Sequence, residues 1–532
     1  MAWGAPRGVD DLITKLKDNN TASTMCILST RKFGTSDAVA FSAALSDNTS
    51  LAELLASGHP LDVAGAAAFG EALSRNTTLR SLCVGDNNFG DKGVLALVEG
   101  LKRNRGLVVL DLEFKSIVSG EGLSELLKTH PTLADLRLGR NQLAEAGTTA
   151  LSTGLAVSSA LLRLDLSGNL LDAAAAQALG RALCGRLTPP QPPAVTVDDI
   201  DTDADGVCAS AGTGTRAGAA AGPPPLEFLD VSKNPLGDEG GAALLLALAA
   251  SPTLTGLAMA EAGLGAGAAA AFAAALGPFP PPPTGVGTPL NAASVEGGMA
   301  PAAPASSEQA DELPPPPQSP SSATPATSGR GMPLLKSLDV SKNDLGAGGA
   351  AKLAGALSGG GGAQLESLAL GYNSVGDEGA AALGRAAGPR LAVLDLSGNA
   401  LSGAGLAAAL SSRGLREAKL FHNACGDEGV PLVLQALLAG GGLQTLDLGA
   451  NGLTGAGFEA LLPGLTACSS LKTLEVGANA NDDRAEEAVR RSQASNPALD
   501  IAFRRGGEAM EGSGAPAGVG DAAGLGTVAA GQ

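Results

Sequence analysis

Aromatic residues are scarce in this sequence: they make up 2 % of its 532 residues, with one Trp and one Tyr. Bases of single-stranded nucleic acid stack on aromatic side chains, which this chain hardly supplies. Positive charge is also in deficit, since 35 Lys and Arg face 53 Asp and Glu and the formal net charge is −18. Because an acidic chain repels phosphate backbones and anionic lipid, we predict no nucleic-acid partner, and a basic protein is a better candidate.

Residues for metal, disulfide and catalytic chemistry are few and scattered. A disulfide framework or zinc site needs clustered cysteines, and a catalytic triad needs convergent side chains. The six cysteines include no C-x-x-C pair, and the three histidines lie far apart. We therefore predict reduced thiols, no metal, no cofactor and no catalytic residue. The residues are His59, His130, His422, Cys26, Cys83, Cys184, Cys208, Cys425 and Cys468.

Membrane-directing segments are also missing. The N-terminal MAWGAPRGVDDL lacks the apolar core of a signal peptide. The uncharged run 240–260 is long enough to span a bilayer, but Pro252 and neighbouring Ser and Thr residues interrupt it. We predict no membrane span and a cytoplasmic location, with the nuclear periphery and the cilium or cytoskeleton as alternatives.

An internal repeat with the frame L-x-x-L-x-L-x-x-N-x-L dominates the chain. LADLRLGRNQL from Leu133 and LAVLDLSGNAL from Leu391 are clear copies, and most steps are 28 residues. A fixed period of this length indicates a solenoid. A terminal fragment begins at Leu499. The fourteen copies begin at Ser23, Leu51, Leu79, Leu107, Leu133, Leu161, Leu226, Leu254, Leu335, Leu365, Leu391, Leu415, Leu443 and Leu471.

Two steps are much longer than one repeat, from Leu161 to Leu226 and from Leu254 to Leu335, so each contains an insert. Proline, glycine and serine in these inserts predict extended or disordered chain. The predicted organisation is a capping segment at 1–22, repeat blocks at 23–187, 223–277 and 333–503, inserts at 188–222 and 278–332, and a disordered Gly/Ala tail at 504–532.

Each repeat is predicted to form one strand and one helix. The L-x-L pair places two leucines on one face of a short strand, and successive strands stack in parallel. In segments such as GDEGAAALGRAAG from Gly376, Ala and Leu recur at helical spacing behind an Asp that can cap free N–H groups. Residues 9–20 resemble a capping helix. The predicted fold is an α/β solenoid, a leucine-rich repeat horseshoe of about fourteen repeats with a parallel concave sheet and outer helices.

The Asn of the frame is predicted to be structural. An amide both donates and accepts, so it can bond backbone groups of neighbouring turns where the chain leaves the sheet. Ten residues hold this position: Asn87, Asn141, Asn169, Asn234, Asn343, Asn373, Asn399, Asn423, Asn451 and Asn479.

The frame, the G-D-E-G helix start and the 28-residue step together resemble the ribonuclease-inhibitor-like leucine-rich repeat superfamily over roughly residues 23–503, less the inserts. That superfamily includes ribonuclease inhibitors, the repeat arrays of NOD-like receptors and Ran GTPase-activating proteins. ALSDNTSL from Ala44 and ALSRNTTL from Ala72 also resemble repeat junctions of tropomodulin-type proteins. The chain lacks the many cysteines of ribonuclease inhibitors, the nucleotide-binding loop of NOD-like receptors and the acidic tail of Ran activators.

The residue between the two strand leucines is predicted to line the concave face, where solenoids commonly bind partners. Seven of these fourteen residues are acidic, and stacking places neighbours about 5 Å apart, which would attract and steer a basic partner. The alternative is that the sequence LDLS is simply common in this type of repeat and that its aspartate charges are solvated. The residues are Ile27, Leu55, Cys83, Asp111, Arg137, Asp165, Asp230, Ala258, Asp339, Ala369, Asp395, Lys419, Asp447 and Glu475.

Aromatic and basic residues interrupt this stripe, and these residue types dominate interface hot spots. We predict that they contribute to binding, with ordinary exposed surface as the alternative. They are Phe114, Arg137, Arg140, Phe228, Tyr372, Lys419, Phe421 and His422.

Both inserts contain a short motif. DIDTDADGV, residues 199–207, begins like an EF-hand loop, with Asp201, Asp203 and Asp205 as its first ligands. Gly212 stands where a bidentate Glu is required, and flanking prolines oppose helices, so we predict a disordered acidic loop with at most weak calcium attraction. PPPPQSP in the second insert fits a ligand for an SH3- or WW-type domain with phosphorylatable serines, or a tolerated surface insertion.

The leading functional prediction is a non-catalytic scaffold or adaptor that binds a protein on its concave face. The first alternative is a Ran-type activator of a small GTPase, which would need an arginine at the GTPase nucleotide; Arg31 and Arg140 are the candidates. A ciliary or cytoskeletal structural subunit is the second alternative. The oligomeric state is left open.

Overall fold

A single parallel sheet runs through the computed structural model of the protein, which describes residues 8–184, 225–249, 251, 253–276, 332, 334–358, 364–480 and 482–503. Within these residues, fifteen strands alternate with fifteen helices, and every strand pairs in parallel with the next strand along the chain. This order confirms the predicted α/β solenoid, because each repeat contacts its neighbours in sequence.

The strands are β1 (Thr24–Cys26), β2 (Glu53–Ser57), β3 (Ser81–Gly85), β4 (Val109–Asp111), β5 (Asp135–Arg137), β6 (Arg163–Asp165), β7 (Phe228–Asp230), β8 (Gly256–Ala258), β9 (Ser337–Asp339), β10 (Ser367–Ala369), β11 (Val393–Asp395), β12 (Glu417–Lys419), β13 (Thr445–Asp447), β14 (Thr473–Glu475) and β15 (Asp500–Ala502). The helices are α1 (Asp10–Lys17), α2 (Thr35–Ser46), α3 (Val63–Arg75), α4 (Gly90–Leu101), α5 (Glu121–Thr129), α6 (Ala144–Leu155), α7 (Ala173–Leu183), α8 (Gly237–Leu248), α9 (Ala266–Leu276), α10 (Gly346–Ser358), α11 (Gly376–Ala386), α12 (Gly403–Leu410), α13 (Gly426–Gly440), α14 (Gly455–Gly464) and α15 (Asp483–Ser495).

One hydrophobic core extends from Val9 to Ile501 between the sheet and the helices. The central residue of most strands is a frame leucine, as Leu110 in β4, and it is fully buried. The next leucine of the frame, such as Leu112, is buried as well. Because the residues on both sides of the central leucine point the other way, the sheet presents a second, accessible face, here called the concave face.

Helix α1 covers the N-terminal end of this core, where the sequence predicted a capping helix. Leu12, Ile13 and Leu16 are buried on its inner side. Arg31, in the loop after β1, holds the helix with a two-pronged contact to Asp11, at 2.6 and 3.1 Å, and a hydrogen bond of 2.7 Å to the Gly8 carbonyl. The contact lowers the pKa of the Asp11 carboxyl.

The sheet continues without a break across both long steps of the repeat. Asp165 of β6 pairs with Asp230 of β7, and Ala258 of β8 pairs with Asp339 of β9. The chain leaves after α7 and α9 and returns just before the next strand. Residues 185–224 and 277–331, with DIDTDADGV and PPPPQSP, and the tail 504–532 lie outside the described residues, so the predictions about them stay predictions.

The apolar run 240–260 is divided by the repeat. Its first part belongs to α8, which ends at Leu248, and its last part contains β8. Among the described residues, no helix is long and apolar enough to cross a membrane.

The Asp of the helix start caps the following repeat rather than its own helix. Asp238, in the first turn of α8, accepts the backbone N–H groups of Gly265, Gly267 and Ala268, which begin α9. Asp377 likewise accepts the Ser402 N–H ahead of α12, at 2.8 Å. These carboxylates therefore bind consecutive helices together, which sequence spacing alone does not indicate.

Candidate functional site

Strand register decides which residues share the concave face. The last residues of consecutive three-residue strands pair directly, as Asp111 with Arg137 and Asp395 with Lys419. The predicted stripe is thereby aligned, with one correction at its start. Cys26, not Ile27, pairs with Leu55, and Ile27 is buried. The first repeat lies one residue earlier than the frame indicated.

The aspartates of the stripe have a structural task within their own turns. Each accepts the backbone N–H two residues further on, as Asp165 from Ser167 at 2.8 Å and Asp395 from Ser397 at 2.9 Å. Their side chains are half-buried, whereas Arg137, Lys419 and Glu475 are exposed. The aspartate of LDLS therefore partly serves to close the turn. The carboxylates of the acidic row are only partly available to a binding partner. Six aspartates behave in this way: Asp111, Asp165, Asp230, Asp339, Asp395 and Asp447.

Two aspartates of the row have raised pKa values. Burial, followed by the charges of Asp165 and Asp339, raises the pKa of Asp230. Burial raises the pKa of Asp447 in the same way, with Glu475 and Asp395 adding to the effect. A basic partner would relieve this repulsion, so the row is suited to positive charge.

Two clusters of large side chains interrupt the concave face, and both depart from the repeat at one position. The second residue after β5 to β11, β13 and β14 is Gly, Ala or Ser, which keeps the face smooth. Glu113 and Phe421 occupy this position after β4 and β12. This change from a small to a large residue is visible in the sequence. The leucine frame does not specify the residue at this position and therefore does not reveal it.

The Arg140 cluster comprises Glu113, Phe114, Arg137 and Arg140. The guanidinium of Arg140 lies 4.7 Å from the centre of the exposed Phe114 ring. Arg137 contacts Asp135 at 3.0 Å and remains exposed. Burial, then the charges of Asp111 and Asp165, raises the pKa of the Glu113 carboxyl. The cluster thus offers an aromatic ring and two arginines at the N-terminal end of the acidic row.

The Tyr372 cluster comprises Tyr372, Lys419, Phe421 and His422. The Tyr372 ring lies 6.0 Å from that of His422, which in turn lies 6.1 Å from that of Phe421, both edge to face. Tyr372 and His422 belong to repeats that are not adjacent; the Tyr372 ring lies directly over Gly398 of the repeat between them. Both Tyr372 and Phe421 are exposed, by 41 % and 37 %.

Members of both clusters adopt a left-handed backbone. Phe114, Arg140, Tyr372 and His422 have φ between 55° and 57°, at the turn position that Gly168 and Gly398 hold elsewhere. A bulky residue there costs roughly 1 kcal/mol relative to glycine. Large exposed side chains are thus displayed where the turn itself favours glycine.

Phe228 lies on a second concave row, formed by the first residue of each strand. The guanidinium of Arg163, from the neighbouring strand, lies 4.6 Å from the centre of its ring. Gly256 in the next strand leaves room for the ring, since a Cβ there would lie 2.5 Å from Phe228 Cδ2. The period-2 alternation of strands predicts this row. It was not predicted above because only the residue between the two strand leucines was considered.

The frame Asn residues form a buried ladder along the edge where strands lead into helices. Asn399 is typical: its amide donates to the carbonyls of Leu370 and Ser397 and accepts the N–H groups of Asn373 and Val375. Here this row is called the strand-end ladder. It comprises Asn141, Asn169, Asn234, Asn343, Asn373, Asn399, Asn423, Asn451 and Asn479.

Asn87 is a correction to the predicted ladder. It is exposed because β3 continues to Gly85, and the turn there is instead held by Asp86, which accepts the Asn88 N–H. Two other residues hold ladder positions that lack Asn. His59 Nε2 lies 3.0 Å from the Ile27 carbonyl, and the buried Lys115 ammonium donates to Ser57 Oγ and the Glu113 carbonyl.

A second ladder, which the sequence analysis did not identify, follows the opposite edge, where helices lead into strands. Asn104 donates to the carbonyls of Leu73 and Asn76 and accepts the N–H groups of Gly106 and Leu107. Asn48 and Asn76 act similarly. In the next repeat His130 takes the place, and its Nδ1 accepts two N–H groups. This helix-end ladder comprises Asn48, Asn76, Asn104 and His130.

The histidines do not form a catalytic constellation in the described part of the chain. His59 and His130 are buried ladder members, and burial, with a smaller effect of Arg105, lowers the pKa of His130 to about 4. His422 belongs to the Tyr372 cluster. Arg31 is engaged in holding α1, and Arg140 lies on Phe114. Within the described ranges, no three His, Cys, Asp or Glu residues are grouped to hold a metal ion.

Four stretches of the chain match the family model of the leucine-rich repeat, at residues 75–98, 222–245, 331–354 and 364–384. Each contains or borders one strand of the continuous parallel sheet. The chain is a leucine-rich repeat protein. The ribonuclease-inhibitor-like subtype fits this assignment and stays a prediction, and no curated protein sequence matches the chain. Leucine-rich repeat arrays typically mediate protein–protein interactions.

Several solved structures resemble the solenoid at low scores. Leiomodin-1 actin-binding site 2 is 25 % identical, covers 24 % of this chain and 77 % of its own, and has a TM-score of 0.22. The Rad7 and Elc1 complex from yeast is 16 % identical, covers 84 % and 86 %, and scores 0.40. An internalin from Listeria monocytogenes is 14 % identical, covers 87 % and 88 %, and also scores 0.40.

Proposed function

We propose that this leucine-rich repeat protein is a non-catalytic scaffold or adaptor that binds a protein partner on its concave face. The observation that carries the proposal is the Tyr372 cluster. In a chain with 2 % aromatic residues, its one tyrosine and a phenylalanine are exposed on that face, and both contact His422. Interface hot spots favour this type of residue.

The surroundings of the cluster indicate the character of the partner. Between the Arg140 and Tyr372 clusters lie the half-buried aspartates Asp165, Asp230 and Asp339, and burial followed by the charges of its two neighbours raises the pKa of Asp230. From β5 to β12 the row extends roughly 35 Å, at the usual spacing of strands. We expect a partner with a basic surface that meets the aspartates and apolar side chains that meet the rings.

Affinity capture with matched variants tests the proposal. The full chain is compared with the double variant Tyr372→Ala/Phe421→Ala and with the control Leu432→Ala, which removes an exposed apolar residue from the outer helix α13. A protein captured by the wild type is then purified, and its affinity is measured directly. We expect the double variant to weaken binding at least 30-fold, about 2 kcal/mol, and the control to leave it unchanged.

A second arm addresses charge and catalysis. Asp→Asn changes at Asp165, Asp230 and Asp339 keep the oxygen that accepts the turn N–H, so they test charge without releasing the turn. We expect weaker binding that depends less on salt.

Equal affinity of wild type and double variant for every captured protein would contradict the proposal. If a captured small GTPase is accelerated by the chain, the protein is an activator instead.

A further inference from the structure

The edge where helices lead into strands carries a cavity that is separate from the concave face. It has a volume of about 580 Å3 and is bordered by the loops before β10, β11, β12 and β13. Three arginines line it: Arg390, Arg413 and Arg416. It opens beside α12, which has 8 residues, whereas α11 has 11 and α13 has 15.

In this chain of net charge −18, some arginines contact acids, as Arg75 and Arg103 contact Glu71 and Arg484 contacts Glu459, whereas others, such as Arg140, lie on aromatic rings. Among the described residues, none of the three cavity arginines has a carboxylate within 4.0 Å. The acid that lines the cavity, Glu366, contacts Lys336 instead, at 3.4 Å.

The backbone beneath the arginines is fixed by the repeat. The Arg416 N–H donates to the Ala392 carbonyl at 2.8 Å, and its own carbonyl accepts the Gln444 N–H at 2.7 Å. Gly414 packs so closely that a Cβ there would lie 2.5 Å from the Pro389 carbonyl oxygen. Arg390 also donates to the side chain of Gln364, a neutral partner. The backbone therefore places the three arginines at the border of one cavity, with their side chains exposed.

We propose that this cavity binds a phosphate monoester dianion through Arg390, Arg413 and Arg416. Guanidinium groups donate paired hydrogen bonds that match phosphate oxygens, and three of them suit a group with charge near −2. The phosphate could belong to a small phosphorylated molecule or to a phosphoserine in a polypeptide. The chain itself contains QSPSSATP, residues 318–325, in the stretch of sequence that precedes β9.

Calorimetric titration of the full, unphosphorylated chain tests the site. The probes are inorganic phosphate, O-phosphoserine, and a peptide of residues 314–325 with Ser319 phosphorylated or not. The triple variant Arg390→Gln/Arg413→Gln/Arg416→Gln is compared with Arg385→Gln, an exposed arginine on α11. Circular dichroism verifies that the variants fold. We expect saturable binding of phosphorylated probes to the wild type, a loss of affinity of at least tenfold in the triple variant, and no loss in Arg385→Gln.

The arms distinguish the two sources of phosphate. Tighter binding of the phosphopeptide than of O-phosphoserine, with no binding of the unphosphorylated peptide, assigns the site to a phosphorylated polypeptide. Equal binding of the two phosphorylated probes assigns it to a small molecule. The proposal is overturned if no phosphorylated probe saturates the wild type, or if the folded triple variant binds them as the wild type does.

Discussion

The asparagines that bridge neighbouring repeats lie at opposite edges of one sheet in the early and in the late repeats of this solenoid. In the early repeats, Asn48, Asn76, Asn104 and His130 bridge the edge where helices lead into strands. From Asn141 onwards, the frame asparagines bridge the edge where strands lead into helices. The difference teaches that bridging groups can satisfy backbone groups at either edge, and at both edges of the early repeats, where His59 and Lys115 hold strand-end positions.

The position of the inserts follows the same division. Both long steps of the repeat separate a helix from the next strand, at β7 and β9, among the late repeats. The strand-end ladder continues across the first of them, since β6 pairs with β7 and Asn234 bonds the Leu166 carbonyl. The helix-end edge of the late repeats, where no asparagine ladder runs among the described residues, also carries the arginine-lined cavity.

The largest effect should come from removing one member of each ladder. Asn399→Ala and Asn104→Ala each leave four backbone groups without their amide partner, so each should cost at least about 3 kcal/mol. Since contacts in a solenoid are local, hydrogen exchange should accelerate around the substituted repeat, in the late half for Asn399→Ala and the early half for Asn104→Ala.

Asn87→Ala is the matched control, because Asn87 is exposed and outside both ladders. Its denaturation midpoint should equal that of the wild type. If Asn399→Ala and Asn104→Ala accelerated exchange uniformly along the chain, the division into separately secured halves would be wrong.

The stability that the helix-end ladder contributes should be sensitive to acid, since this ladder contains a buried histidine whose pKa is low. Burial lowers the pKa of His130 to about 4 from an ordinary 6.5. On acidification the unfolded chain therefore takes up the proton first, and stability falls as pH drops from about 6.5 to about 4, by about 3 kcal/mol in all. His130→Asn should remove this loss, as measured by urea denaturation at pH 7.5 and 4.5. An unchanged pH profile in the variant would exclude His130 as its source.

The junction between the two ladders should depend on Lys115. Its ammonium donates to Ser57 Oγ at 3.0 Å and to the Glu113 carbonyl at 2.8 Å in a buried site. Lys115→Met retains most of the chain length but loses both bonds, so we expect a cost of about 2 kcal/mol in denaturant unfolding. Lys102→Met, which removes an exposed pair with Glu99, should cost less than about 0.5 kcal/mol and serves as control. Similar costs for the two variants would argue against a special role for Lys115.

The smallest effect on stability is expected from removing one charge of the acidic row. Burial and two neighbouring carboxylates raise the pKa of Asp230, so its ionised form disfavours folding at neutral pH, and this penalty disappears on acidification. Asp230→Asn retains the acceptor for the Ser232 N–H and should raise the unfolding temperature slightly at pH 7 but not at pH 3. The exposed Asp344→Asn should raise it at neither pH. A lower unfolding temperature for Asp230→Asn at pH 7 would show that its charge stabilises the fold.

Much of the concave face could be predicted from the frame, because a period of two assigns each strand residue to one side. The exceptions have local causes. Ile27 is buried because the first repeat is shifted by one residue, and Asn87 is exposed because β3 is longer. The row formed by the first residues of the strands was predictable but not predicted, although Phe228 itself was among the predicted binding residues. The cross-repeat contact of Tyr372 with His422 depends on the space above Gly398, which no spacing reveals.

The sequence by itself determined the solenoid, its parallel sheet, its repeat length and the places where the inserts enter, because buried leucines at fixed spacing leave few ways to exclude water. The tertiary structure alone decided which edge each ladder follows, which helix each aspartate caps, and which distant side chains meet. Arg390, Arg413 and Arg416 lie in the loops before β11 and β12 and border one cavity only because neighbouring loops stack. Contacts of this kind depend on packing between repeats, which exists only in the folded chain.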